Sequence, residues 1–205
     1  MNARTLSALL AVLGLAGSAA ASPGDACYDE QTDPASLKAV IAGCNSLIAS
    51  KQLTGAALAD AYLNRGIAHR KSGKNAAAAA DYSMVITLQP ARVDGYNGRC
   101  FARALMGKLK DGLVDCNKAL SLSPADAYTL DTRGFVNLKL GLYTAAIADY
   151  DAELVQDQKF PESYFGRGVA KLRQGDKSGG LADLAQARAL DSGIDAEMAK
   201  LGVKP

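Results

Sequence analysis

The chain has 205 residues and a net charge of +2, with charged residues making up 21% of the sequence. Because this charge is spread along the chain, the composition argues against a nucleic-acid-binding protein, which would concentrate its basic residues. Tryptophan is absent and aromatic residues account for only 6%, which favours closely packed helices over a β-sandwich.

The N-terminal segment predicts export. Arg4 precedes an apolar run from Leu6 to Leu15, and small residues follow up to Ser22. This order is that of a cleavable signal peptide, and the apolar run is short for a membrane span. We predict a signal peptide over residues 1–21, cleaved after Ala20 or Ala21, and a periplasmic or secreted protein with no stable membrane span after cleavage. An uncleaved N-terminal anchor is the alternative.

Residues 22–58 form an N-terminal segment that precedes the regular part of the chain. Within it, the stretch from Pro34 to Ser50 predicts one helix. Its portion from Ala39 to Ile48 has the pattern of the second helix of the repeats that follow. We therefore expect it to cover the exposed end of the array as a half repeat.

Residues 59–194 contain a fourfold repeat with a period of 34 residues. Each unit predicts two antiparallel helices, because a glycine follows the first helix and, in two copies, a proline follows the second. A unit of this size cannot bury its own apolar face, so neighbouring units must stack. We divide the array into residues 59–92, 93–126, 127–160 and 161–194. The invariant columns are Gly73, Gly107, Gly141 and Gly175; Arg65, Arg99, Arg133 and Arg167; and Asp81, Asp115, Asp149 and Asp183.

The end of the chain departs from this pattern. The last copy contains the pair Gly179–Gly180 and lacks the closing proline, so we expect it to be slightly loosened. A final helix from about Asp195 to Leu201 is predicted, and residues 195–205 are expected to form a C-terminal cap.

The period and its small-residue columns resemble the tetratricopeptide-repeat family. The resemblance covers residues 59–194 and implies an all-α fold: a right-handed α-solenoid of four helix–turn–helix units between two capping helices. It further implies a non-catalytic interaction protein of the cell envelope whose partner is another protein or peptide. A structural subunit that forms homo-oligomers is the alternative. The small residues stand at Gly66, Cys100, Gly134 and Gly168 in the first helices and at Ala78, Gly112, Ala146 and Gly180 in the second.

Residues typical of catalytic or metal sites are few. His69 is the single histidine, and we expect it to be packed and hydrogen-bonded within the first repeat. No zinc-binding spacing, nucleophile motif or phosphate-binding loop occurs. We therefore predict no enzymatic activity, no cofactor and no metal.

The arginine and aspartate columns are 16 residues apart, and a helical hairpin folds such positions towards each other. An anion-binding or catalytic role is conceivable for invariant charges, but we predict an interhelical ion pair in every repeat, with the pairs linked into a ladder. Partly exposed pairs contribute about 0.2 to 1 kcal/mol each.

The four cysteines favour disulfides in an exported chain. Cys100 and Cys116 occupy close-packing columns of facing helices, and Cys27 and Cys44 flank the start of the capping helix. We predict the bridges Cys27–Cys44 and Cys100–Cys116, each stabilising the fold by about 3 kcal/mol. Buried free thiols or a redox pair are the alternatives.

In the family that the repeats resemble, the first helices line a concave groove, and this implies a binding site here. Its floor would be apolar, with an acidic rim of Asp60, Asp94, Asp131 and Glu162 and a basic rim of Arg70, Lys71, Lys139 and Arg173. Core packing between first helices, or binding on the convex face, would be the alternatives. The candidate groove residues are Leu63, Ile67, Asn97, Phe101, Leu105, Asp131, Phe135, Leu138, Phe165 and Val169.

Overall fold

The computed structural model describes residues 26–28 and 33–205, and within the latter range the chain forms ten α-helices. Helix α1 (Pro34–Ala49) precedes the repeats, and the short helix α10 (Ile194–Lys200) ends the chain. The predicted signal peptide, residues 1–21, lies outside the described residues. The four pairs in between are α2 (Gly55–Lys71) with α3 (Asn75–Leu88), α4 (Val93–Leu105) with α5 (Leu109–Leu122), α6 (Ala127–Lys139) with α7 (Tyr143–Leu154), and α8 (Pro161–Gln174) with α9 (Lys177–Leu190).

The helices stack in chain order into an α-solenoid, which confirms the predicted fold class. Each first helix packs against its own second helix and against the second helix of the preceding repeat. The first helices α2, α4, α6 and α8 also contact one another in sequence, whereas within residues 33–205 no two of the second helices α3, α5, α7 and α9 do. The array therefore curves towards the first helices, which line its concave face. None of the helices described is both long and apolar enough for a membrane span.

Each hairpin turns at a glycine in the left-handed region of backbone conformation. The four residues of this column have φ angles between 74° and 94°, which a residue with a Cβ atom rarely adopts. The period of the sequence thus reflects one backbone requirement that returns at the end of every first helix. The four glycines are Gly73, Gly107, Gly141 and Gly175.

The second helices of the first and third repeats each insert a tyrosine between two first helices. Tyr82 lies against Gly66 of its own repeat and Gly98 of the next, and a Cβ atom on Gly98 would be 2.5 Å from Cε1 of the tyrosine. Tyr150 has the same environment in the third repeat. Both rings are buried, and the missing side chains of the glycines make room for them.

Every repeat contains the predicted ion pair. Nη2 of the arginine lies 2.6 to 2.7 Å from Oδ1 of the aspartate in all four repeats, and Nε donates to the same carboxylate. The aspartates are only 3 to 6% exposed. Removing one partner would leave the other charge buried, and this should cost more stability than the roughly 0.2 to 1 kcal/mol typical of exposed pairs. The pairs are Arg65–Asp81, Arg99–Asp115, Arg133–Asp149 and Arg167–Asp183.

The arginines also join neighbouring units into the predicted ladder. Nη1 of each arginine donates to a polar side chain on the second helix before it, or on α1 in the case of the first repeat. Each first helix is thus tied to both helices that flank it. The acceptors along the array are Asn45, Ser83, Asn117 and Asp151.

Both predicted disulfides are present in the structure. Cys100 on α4 is joined to Cys116 on α5 with their Cα atoms 5.5 Å apart, and this bridge occupies the place of the glycine–tyrosine contact of the neighbouring repeats. Cys27 is joined to Cys44 on α1, with a Cα separation of 4.6 Å. This second bridge fixes residues 26–28 to α1. Helix α1 packs on α2 as the expected cap.

The expectation that the last repeat is loosened was wrong. Helices α8 and α9 approach closely at Gly180, where a Cβ atom would lie 2.6 Å from Cγ of Leu172 and 2.8 Å from the carbonyl oxygen of Gly168. Glycine weakens an isolated helix, but here its missing side chain permits a close contact between two helices.

Candidate functional site

The concave face carries the groove expected from the repeats, and the structure divides the expected residues into two sets. One set, in the N-terminal half, is partly exposed: Leu63, Ile67, Asn97, Phe101, Leu105 and Asp131. The other set, in the C-terminal half, is buried: Phe135, Leu138, Phe165 and Val169.

The C-terminal segment accounts for this difference because it folds onto the concave face. Ile194, Met198 and Val203 are buried and belong to the same apolar cluster as Phe135 and Val169. Ile194 and Met198 are four residues apart and therefore lie on one face of α10. The C-terminal cap thus covers the floor of the groove in addition to the end of the array.

Polar contacts also hold the C-terminal segment in the groove. Nζ of Lys139 donates to the backbone carbonyls of Leu201 and Gly202 at 3.1 and 3.3 Å. A guanidinium nitrogen of Arg173 lies 3.4 Å from the carbonyl oxygen of Lys204. The basic rim in this half of the groove therefore binds the backbone of the protein's own C-terminus.

The N-terminal half of the groove contains an open cavity of 450 Å³. Its floor includes Leu63, Ile67 and Phe101, and Asn97 contributes a buried Oδ1 atom with no hydrogen-bond partner in the described part of the chain. Tyr128, which is 69% exposed, forms part of the wall. Of the first set, Leu105 alone lines neither this cavity nor the one that follows.

A second cavity of 320 Å³ lies beside the first, between the first helices and the C-terminal segment. Its walls are largely aromatic: the rings of Phe101 and Phe135 are 5.7 Å apart in an edge-to-face arrangement, and those of Tyr128 and Phe160 are 6.3 Å apart. Met198 of α10 closes one side. Phe101, Tyr128 and Asp131 line both cavities.

Sequence reasoning missed two of these aromatic residues. Tyr128 stands in the repeat column where the other copies have Asp60, Asp94 and Glu162. An aromatic residue in an otherwise acidic column could have indicated its part in the site. Phe160 lies in the connection between α7 and α8, in a repeat column that also contains Leu58, Arg92 and Asp126, which share no property. Its place in the site follows only from the folded structure.

Carboxyl groups gather behind the aromatic wall. The pKa of Asp131 rises from 3.8 to about 6, chiefly because burial disfavours its charge and also because Glu162 adds a like charge. Burial and the charge of Asp131 raise the pKa of Glu153 from 4.5 to about 7. The hydroxyl of Ser163 lies between Asp131 and Glu153 and is within hydrogen-bonding distance of both. Since one hydroxyl proton cannot serve two carboxylates, this geometry favours a proton on one of the acids.

His69 lies outside this cluster. It is packed as expected, and burial lowers the pKa of its imidazole. The expected hydrogen bond is missing among the described residues, because Nδ1 has no partner and Nε2 is 3.9 Å from the carboxylate of Asp81. That carboxylate already binds Arg65 through two nitrogens. Among the described residues, no three His, Cys, Asp or Glu side chains are placed so that they could hold a metal ion together.

Comparison with solved structures identifies the fold. The chain is similar to a tetratricopeptide repeat protein from Parabacteroides merdae, with a TM-score of 0.67 and 18% identity over 87% of this chain and 70% of the other. It is similar to the thermophilic TPR protein TTC0263 of Thermus thermophilus, with a TM-score of 0.65 and 18% identity over 82% and 91%. No family model matches the sequence, and no curated protein matches it.

A third similar structure is YrrB, described as a TPR protein with an unusual peptide-binding site. Its TM-score is 0.60 and its identity 14%, over 82% of this chain and 84% of the other. The protein therefore has the tetratricopeptide-repeat fold, as the resemblance of its sequence predicted.

Proposed function

We propose that the protein is a non-catalytic adaptor of the cell envelope that binds a segment of another protein in the open half of its concave groove. The observation that carries this proposal is the uncovered apolar floor formed by Leu63, Ile67 and Phe101 beside the exposed ring of Tyr128. Aromatic side chains in a concave surface are typical anchors for a protein partner.

The C-terminal segment supports the same proposal. It places apolar side chains on the floor and backbone carbonyls on the basic rim, which is what a bound peptide would do. The protein's own chain thus occupies one half of the groove, and the other half has room for a foreign segment. The unusual peptide-binding site described for YrrB is consistent with this use of the fold.

The location in the envelope is part of the proposal and is supported by two features. The first is the signal-like sequence of residues 1–21. The second is the pair of buried disulfides, which persist in oxidising compartments. The mass of the mature chain tests export directly, because cleavage after Ala20 or Ala21 gives a defined N-terminus.

Site-specific photo-crosslinking in cells tests the binding site. A photoreactive phenylalanine analogue at position 97 in the groove is compared with the same group at position 114, where Val114 on α5 is 66% exposed on the convex face. We expect crosslinks to a discrete partner from position 97 only, and their loss when Phe101→Ala is added. Crosslinks to that partner from position 114 alone would move the interface to the convex face and reject the proposal.

The second candidate function, a self-associating structural subunit, predicts a different product. Position 97 or 114 would then crosslink to a second copy of this chain, and the apparent mass in solution would rise with protein concentration. This candidate is supported by exposed apolar residues on the convex helices, such as Val114 and Leu181.

A further inference from the structure

The second cavity combines aromatic walls with carboxyl groups. Besides its aromatic residues, it is lined by Asp131, Glu162 and Glu197, and no lysine, arginine or histidine is among its lining residues. A cavity with π faces and negative charge suits a cationic side chain, which both kinds of group attract.

The carboxyl groups of this cavity form no ion pair with any residue that the structure describes. In residues 33–205, none of the ion pairs involves Asp131, Glu162 or Glu197. The acidic rim of the first two repeats differs, because Arg92 pairs with both Asp60 and Asp94. Among the described residues of the acidic rim, Asp131 and Glu162 are therefore left without a paired cation, whereas Asp60 and Asp94 have one.

A preference of acids for helix starts explains part of this arrangement but not all of it. Glu162 lies in the first turn of α8, where a carboxylate complements the helix dipole. Asp131 is the fifth residue of α6, beyond the first turn. Glu153, directly behind the wall and 1% exposed, lies near the C-terminal end of α7, where a negative charge is unfavourable. The pKa values of Asp131 and Glu153 are raised chiefly by burial and further by the like charges of their acidic neighbours.

The basic rim, by contrast, is already satisfied in this half of the groove. Lys139 and Arg173 bind the backbone carbonyls of the C-terminal segment. On the open side, the guanidinium of Arg70 lies 5.3 Å from the centroid of the Phe101 ring, so one aromatic residue of the site already accepts a cation in this structure. What remains for a partner to complement is the acidic and aromatic cavity.

We infer that the segment bound in the groove carries a lysine or arginine whose charged end enters this cavity between the ring of Phe101 and the carboxylates of Asp131 and Glu162. This inference rests on the proposed function. Apolar residues next to that basic residue would lie on the floor formed by Leu63 and Ile67 in the adjoining cavity. The groove is thus specific for basic–apolar segments and discriminates against acidic ones.

The test uses defined peptides. Random dodecapeptides displayed on phage are selected on the purified protein, and the best binder is synthesised together with a version in which norleucine replaces each basic residue. We expect the selected peptides to share a lysine or arginine, and norleucine to weaken binding about tenfold or more. Asp131→Asn combined with Glu162→Gln should weaken the basic peptide to a similar degree and leave the norleucine peptide unchanged. Asp157→Asn, an exposed acid outside both cavities, is the matched control.

The outcomes separate the inference from the proposed function. One outcome is that the selected peptides lose their binding with Phe101→Ala but contain no essential basic residue. This result would overturn the inference and leave groove binding intact. Failure to select any peptide that depends on Phe101 would overturn both. Circular dichroism and thermal unfolding of each variant show that a lost affinity does not arise from a lost fold.

Discussion

Tyr82 and Gly98 are in contact across the boundary between the first and second repeats, so closely that a Cβ atom on the glycine would lie 2.5 Å from the tyrosine ring. Gly98→Ala should therefore destabilise the array, because the new methyl group and the tyrosine ring cannot both keep their present positions. We expect a loss of about 1 to 3 kcal/mol in the free energy of unfolding, measured by chemical denaturation.

A second substitution distinguishes this clash from the general properties of alanine. Leu184 occupies the tyrosine's column in the fourth repeat, so leucine is compatible with the fold at that place. Tyr82→Leu combined with Gly98→Ala should recover part of the stability lost by Gly98→Ala alone. If the two losses simply add, the contact with the ring is not the cause.

The arginine ladder predicts how strongly three substitutions around Arg133 should each lower the free energy of unfolding. Arg133→Met leaves the carboxylate of Asp149 buried with Asn137 as its remaining side-chain donor, and should cost about 3 kcal/mol. Asp149→Asn keeps hydrogen-bonding capacity and should cost about 1 kcal/mol. Asn117→Ala removes only the exposed bond to the preceding repeat and should cost less than about 1 kcal/mol. Equal losses of stability in all three variants would contradict this account of the ladder.

The disulfide Cys100–Cys116 predicts a further loss of stability when it is removed. The bridge closes a loop between residues 16 positions apart in the sequence. Replacing both cysteines by alanine opens this loop and should lower the free energy of unfolding by about 3 kcal/mol. Peptide mapping without reductant should show this pair and the pair Cys27–Cys44 in the exported protein. Four free thiols would contradict the assignment.

The sequence was sufficient for the repeated part of the fold, and the reason is physical. Every repeat needs the same left-handed turn at a residue such as Gly73 and the same ion pair, such as Arg65 with Asp81, so each requirement returns with the period. Contacts that occur once leave no such pattern. The docking of Met198 onto the groove and the approach of Phe160 depend on the path of single connections, and so the covered half of the candidate site could not be predicted.

The C-terminal segment makes a prediction of its own. Met198→Asp places a charge in the apolar contact and should detach α10 from the groove. We expect amide hydrogens of residues 194–203 to lose their protection from exchange, and the newly uncovered Phe135 and Val169 to bind a hydrophobic dye. Glu197→Gln, a change on the preceding residue, should leave the protection intact. Unaltered exchange in Met198→Asp would show that the segment is held mainly by Lys139 and its backbone contacts.

The buried Glu153 makes stability depend on pH in a defined direction. Its pKa is raised from 4.5 to about 7, so the folded state retains a proton that the unfolded state has lost. The resulting stability is present below pH 4.5 and is lost as the pH rises through about 7. Glu153→Gln is uncharged in both states, so its stability relative to the wild type should increase as the pH rises from 4.5 to 7. The gain should be roughly 3 kcal/mol at about pH 8 relative to about pH 4.5. Denaturation of both proteins at several pH values measures this difference. The charges of Asp131, Asp157 and Glu162 also raise the pKa of this carboxyl group, so adding Asp131→Asn should reduce the gain in stability. A difference between the two proteins that does not depend on pH would exclude Glu153 as the titrating group.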